Sequence, residues 1–204
     1  MRIRGICLAI AVAVGMVCTQ EACAQKWSLG TNLVDYVNFG TLNLEGQVAL
    51  SRHVTLDLQT RQNPFIYNKD NRDDRIFSCR QEYFAGVKIW PWASFSGWWF
   101  KTGAQWQEYS REGLEMIFPF ADGYSREGCA AGLVVGAGWS HMISKCINFD
   151  LGIEGWGGYE RYNGMKITDG PLHFREGERL FLLPNNVTIG FSFIFGRAKN
   201  PAER

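Results

Sequence analysis

Polar and apolar positions alternate along most of the chain with a period of two. The clearest stretch is residues 185–196, where Val187, Ile189, Phe191, Phe193 and Phe195 share one side of an extended chain and Thr188, Gly190, Ser192 and Ile194 the other. Successive strand side chains point to opposite faces, so this reads as one strand with three aromatics on a face. Residues 41–50 set Leu42, Leu44, Val48 and Leu50 against Asn43, Glu45 and Gln47. Residues 54–62 set Val54, Leu56 and Leu58 against Thr55, Asp57, Gln59 and Arg61. The same reading gives strands at 26–37, 78–90, 98–109, 127–142 and 147–159, eight in all. No segment of helix length carries a 3.6-residue period, and no internal repeat or low-complexity linker interrupts the series.

The connections sort into two sets. Long stretches follow the third, fifth and seventh strands, at 63–77, 110–126 and 160–184. The connections after the second, fourth and sixth are shorter, at 51–53, 91–97 and 143–146. In an up-and-down barrel these sets lie at opposite ends, as outer-membrane barrels arrange short periplasmic turns and long external loops. Charge sorts as well. Glu45, Asp57, Arg61, Arg80, Glu82, Lys88, Lys101, Asp150 and Glu154 all fall on the polar faces. A membrane barrel would enclose these as a polar network and show the apolar faces to lipid. A soluble lipocalin-like carrier would do the reverse. Alternation alone does not separate the two. Loop parity favours the membrane, as do Trp90, Trp92, Trp98 and Trp99, which flank one short turn where an interfacial aromatic girdle belongs.

The N-terminus reads as a cleaved signal peptide, residues 1–24. Arg2 and Arg4 precede a 12-residue apolar run, residues 6–17, and Ala22-Cys23-Ala24 supplies small residues at the cleavage positions. Residues 25–204 then form one exported domain, whose membrane spans must be strands, because no later apolar run approaches about 20 residues. Gly (23), Phe (14), Trp (8) and Tyr (7) are abundant, as in all-β chains. A net charge of +1 gives no case for nucleic acid. Cys79, Cys129 and Cys146 remain after cleavage, an odd number without a Cys-x-x-Cys pair, so nothing calls for a metal or other cofactor. A Cys79–Cys129 disulfide and free thiols are both open.

Two resemblances bear on the fold. Thr188, Gly190, Phe193 and Phe195 resemble the terminal-strand signal by which outer-membrane barrels meet their assembly machinery. Gly30-Thr31-Asn32-Leu33, Leu42-Asn43-Leu44-Glu45, Val54-Thr55-Leu56-Asp57-Leu58 and Asn63-Pro64-Phe65 together resemble a family of small outer-membrane β-barrel proteins of Bacteroidota, long listed as a domain of unknown function. The similarity runs on through Gly132 to Trp139 and Asn148 to Gly152. His53-Val54 stands where the family usually has Lys-Trp, and Phe65 where it has Trp. The resemblance implies an eight-stranded barrel at the outer membrane and no reaction.

Enzymatic chemistry finds little support. Of three histidines, His53 and His141 fall near short turns. Only His173 shares the long-loop end with Ser125, Asp122 and Asp169, and no nucleophile motif accompanies them. The mixed-charge stretches 69–75 and 173–179 read as solvated loop tips. Arg72, Arg75, Arg175 and Arg179 there offer contacts to a surface protein or to lipopolysaccharide phosphates. The apolar run Leu114, Met116, Ile117, Phe118, Pro119 and Phe120 reads either as packing over the barrel mouth or as a contact site. The expectation is an all-β, eight-stranded antiparallel up-and-down transmembrane β-barrel behind a cleaved signal peptide. It is non-enzymatic, its partners are outer-membrane lipid and the barrel-assembly machinery, and its external loops do structural, surface-binding or assembly work. The alternatives are a small transport barrel for apolar molecules and a soluble periplasmic carrier whose cavity is lined by Leu42, Leu44, Leu56 and Phe191.

Overall fold

The computed structural model describes residues 27–38, 40–67, 76–112, 125–166 and 173–196. The expected signal peptide, the 69–75 charge cluster and the apolar 114–120 run lie outside them. Nine strands and one short helix are described: β1 (Trp27–Asn32), α1 (Leu33–Val37), β2 (Leu42–Ala49), β3 (Val54–Asn63), β4 (Ile66–Tyr67), β5 (Ile76–Ile89), β6 (Gly97–Glu112), β7 (Ser125–Ser144), β8 (Ile147–Lys166) and β9 (His173–Phe195). Every pairing is antiparallel. The order β3-β2-β1-β9-β8-β7-β6-β5 closes through β3–β5, so eight strands form a closed barrel, and β4 adds only a two-residue ribbon beside β5.

The register fixes the barrel's shape. Stepping from Ser192 across each paired neighbour leads through Gly30, Glu45, Gln59, Phe84, Gln105, Gly132 and Gly158 to Phe181. The circuit returns to β9 eleven residues above its start, one of them Asn185, the extra residue of a bulge opposite Glu154 and Gly155. A stagger of that size over eight strands tilts them by roughly 40° and leaves an interior just wide enough for side chains to fill.

Side chains fill it. At the short-turn end, Trp90, Phe95, Trp99 and Ile194 form a buried apolar floor. Phe95 (φ 65) and Gly97 (φ 79) turn the 90–97 connection back so that the Phe95 ring enters the barrel, and Asn148 Nδ2 donates to the Phe95 carbonyl at 2.5 Å. Higher up, Phe84, Ala130, Val134 and Trp156 form a second apolar layer with Phe181. Two glycines make room for one of the floor's rings: a Cβ on Gly138 of β7 would lie 2.2 Å from Trp99 Cζ2, and one on Gly152 of β8 2.5 Å from it.

Three expectations are corrected. The first strand was expected to reach residue 37 but stops at Asn32. Leu33, Val34, Asp35, Tyr36 and Val37 do not alternate, and the Asn32 side chain accepts from Val34 N–H at 3.3 Å, capping α1 with Asp35 in its first turn. The expected long loop 160–184 is mostly strand, because β8 runs to Lys166 and β9 begins at His173. The aromatic cluster at the short turn is split. Trp92 and Trp98 face out, whereas Trp90 and Trp99, each 1 % exposed, close the floor. Neighbours in a strand point to opposite faces, so Trp98-Trp99 supplies one ring to each.

Candidate functional site

The nine expected interior charges lie on the inner face of the barrel. Arg61 on β3 is the upper hub. Its Nε lies 3.3 Å from Asp35 Oδ2, its Nη2 3.5 Å from Glu154 Oε2, and its Nη1 donates to Glu82. Arg80 follows above, its Nη1 3.8 Å from Glu82 Oε2. Lys101 on β6 is the lower hub, 2.8 Å from Glu154 Oε1 and 3.6 Å from Asp57 Oδ2. Lys88 pairs with Glu45 and lies 3.8 Å from the same Asp57 oxygen. Glu154 joins the hubs, so Arg61, Glu82, Lys101, Asp57, Lys88 and Glu45 form one continuous chain of charges. Rings support it: Lys88 Nζ lies 4.6 Å from the Trp99 centroid and Lys101 Nζ 4.0 Å from that of Phe84. Asp150 stands lower, accepting from Ser140 and, at 2.6 Å, from Ser192 Oγ.

Such a network satisfies buried charge by mutual pairing, which costs less than leaving any member alone. Sequence reading missed one member, Asp35. The strand expected there would have turned it outward; the capping Asn32 three residues earlier was the available signal.

Of the four terminal-signal residues, Thr188 and Gly190 face inward on β9, and a Cβ on Gly190 would lie 2.2 Å from Thr31 O. Phe193 and Phe195 face outward, opposite Leu29 and Trp27 of β1. Cys79, Cys129 and Cys146 are free thiols, and the Cys79–Cys129 bridge left open by the sequence does not form: the two sit on β5 and β7 with β6 between them. His53 Nδ1 bonds the Trp90 carbonyl at 2.9 Å, a turn contact. Ser125 and His173 begin β7 and β9 on either side of β8, while Asp122 and Asp169 lie outside the described residues.

Above the network the barrel opens into a cavity of 770 Å³. Asn63, Arg80 and Tyr109 lie at its base. Tyr109 donates to Glu160, which also accepts from Arg179 Nε at 2.5 Å. The Arg126 and Arg179 guanidinium carbons lie 5.2 and 5.7 Å from the Tyr162 ring centroid. Arg179, expected in a loop tip, is therefore a β9 residue paired across the barrel wall.

Fold and interior together define a closed eight-stranded β-barrel with a polar, ion-paired filling. The chain belongs to a family described as a protein of unknown function (DUF3575), whose model matches residues 8–195. No curated protein and no solved structure matches the chain.

Proposed function

We propose that this is a non-enzymatic integral outer-membrane β-barrel protein of Bacteroidota type, exported by its signal peptide, whose mouth and external loops do structural, surface-binding or assembly work. The observation that carries the reading is the inversion of its faces. Asp57 is fully enclosed, whereas Leu44, Leu133, Ile153 and Phe193 are 52 %, 67 %, 68 % and 49 % exposed. A soluble protein seldom leaves so large an apolar surface to water. Lipid would cover it, and strands paired all the way round the lower barrel satisfy one another's backbone groups there, as a membrane span requires.

The height of the apolar band fits. On β6, Trp98 and Trp106 both face outward, eight residues apart. At a strand tilt of roughly 40° that separates the two rings by roughly 20 Å along the barrel axis. The hydrocarbon-facing band of known barrels is about 25 Å tall, with aromatics at both borders. Trp98 packs edge-on to Trp139 at one border, and Trp106 stacks on Tyr83 at the other.

The alternatives fit less well. A soluble carrier needs Leu42, Leu44, Leu56 and Phe191 around a central cavity. They lie on the outer face, alternating with inward residues such as Thr41, Thr55, Asp57 and Ser192. A transport barrel for apolar molecules needs an apolar bore, whereas this one is closed by a Trp-Phe floor and crossed by the ion network. Extraction of membranes with alkaline carbonate or urea tests the proposal. The protein should stay with the pelleted outer membrane and enter detergent; release into the soluble fraction would overturn the reading.

A further inference from the structure

The outer apolar surface does not end at one level. Tyr83, Trp106, Ala131, Tyr159 and Leu180 are successive partners across β5 to β9, and all face outward. The barrel's stagger makes this row climb by roughly 3 Å at each strand. Leu180 therefore stands roughly 9 Å beyond Trp106 along the axis, and Leu182 roughly 4 Å beyond it. On the outer-membrane reading, on which this inference rests, Trp106 marks the outer border of the apolar band. Both leucines then lie past the hydrocarbon, and among the described residues each is 83 % exposed. Beside them on β8 the outward positions Gly155 and Gly157 carry no side chain, and a Cβ on Gly155 would meet nothing nearer than Leu183 O at 3.8 Å. A leucine ridge thus runs alongside a hollow. Above both, Arg161 of β8 and Glu178 of β9 form a loose, exposed pair, Nε to Oε1 3.8 Å, with Glu178 also beside the Tyr159 hydroxyl.

These features complement a copy of themselves. A two-fold axis parallel to the barrel axis and passing between β8 and β9 sets each of these strands against the other strand of a partner at the same level. Leu182 then enters the hollow at the partner's Gly157, and Leu180 packs on the partner's Tyr159. Arg161 meets the partner's Glu178 while Glu178 meets the partner's Arg161, so four charges alternate in sign. Pairing through the backbone edge of β9 is disfavoured instead. Pro184 offers no N–H, a bulge displaces Asn185, and Glu176 and Glu178 repeat one sign along that edge. We propose that two copies of this chain associate side by side through the outer face of β8 and β9, the leucine ridge of each seated in the glycine hollow of the other. A second copy answers ridge, hollow and charges together, whereas lipid would answer only the leucines.

Stepwise photobleaching of singly labelled chains, refolded into vesicles over a range of protein-to-lipid ratios, counts the subunits and measures their association. Two subunits are expected. Gly155→Leu fills the hollow where its own chain leaves room, and should weaken association by at least about tenfold. Gly46→Leu, at an equally open outward glycine of β2 whose Cβ would meet Leu29 Cδ2 at 3.8 Å, should leave it unchanged. Glu178→Arg and Arg161→Glu each set like charges across the axis and should weaken their own homodimers by about the same factor. A mixture of those two variants should nevertheless form heterodimers at parental strength, because every contact across the axis then joins opposite signs. Mixing does not mend the Arg161–Glu178 contact within either chain, so recovery identifies the interface. Heat-modifiable gel mobility shows that each variant is folded, and membrane extraction is scored separately, so failure of the dimer is distinct from failure of the membrane assignment. Monomers at every ratio overturn the proposal and leave lipid or another segment of the chain to cover the face. Equal effects of Gly155→Leu and Gly46→Leu, or no recovery on mixing, overturn it as well.

Discussion

Lys101 has no side-chain surface exposed and stands between Asp57 and Glu154. Removing it takes the nearest cation from both buried carboxylates and leaves Glu154 with Arg61 at 3.5 Å and Asp57 with Lys88 at 3.8 Å, so Lys101→Met should cost about 3–5 kcal/mol. Adding Asp57→Asn should recover part of that, because one of the two carboxylates that lost its nearest cation goes with it. Urea unfolding in detergent micelles reads both, and a neutral Lys101→Met would show that the plug is wet. Glycine positions make a sharper contrast. Gly138→Ala drives a Cβ to 2.2 Å from both Trp99 Cζ2 and Leu151 O, an overpacking cost of about 1–3 kcal/mol, whereas Gly155→Ala, whose nearest contact is Leu183 O at 3.8 Å, should fall within about 0.5 kcal/mol of the parent in the same assay. At this scale the ionic side of each strand was legible, because a mid-strand charge has one parity and parity decides its face. What was not legible is which glycine serves which neighbour. That depends on register between strands far apart in sequence, and Trp99 reaches across from β6 to β7 and β8.

Among the elements, Asn32 does the work of a missing strand. Its amide caps α1, and it also meets the two β9 backbone groups that β1 abandons. Asn32→Ala should cost about 1–3 kcal/mol, and hydrogen exchange at the Ile189 amide should accelerate while the amides of the β8–β9 ladder below Gly190 stay protected. Unchanged exchange at Ile189 would mean that something other than Asn32 holds it. The lower strands were readable because one face is apolar and the other polar. Above the apolar band that contrast ends: in residues 160–163 and 176–179 both faces are polar, so a period-two search finds nothing and reports a loop. The residual signal was charge complementarity across the hairpin, Glu160 opposite Arg179 and Arg161 opposite Glu178, which becomes visible only once the turn between them is placed. A five-residue helix is likewise shorter than any periodicity can resolve, and only its cap marks it.

For the molecule as a whole, the eight tryptophans divide by face, and that division tests where the protein lives. Trp98 and Trp106 lie on the outer surface near the two borders of the apolar band, while Trp90 and Trp99 are sealed within the floor. Single-tryptophan variants, the other seven replaced by phenylalanine, can be refolded into vesicles whose phosphatidylcholine carries bromine at set depths along the acyl chain. Fluorescence retained at Trp98 or Trp106 should be quenched by bromine near the membrane border, since an aromatic belt sits where headgroups meet hydrocarbon. Fluorescence retained at Trp99 should be indifferent to the label, because a barrel wall and the Gly138–Gly152 cleft stand between its ring and any lipid. A soluble carrier bound loosely to the vesicle would show no quenching at any position. A barrel turned inside out would show the reverse, with Trp99 quenched and Trp106 silent. Which face turns outward is a property of the closed cylinder rather than of any one strand. Each strand's alternation fits either orientation, and the direction of closure is what brings Asp57, Lys101 and Glu154 within ion-pair reach of one another and leaves Leu133 and Ile153 outside.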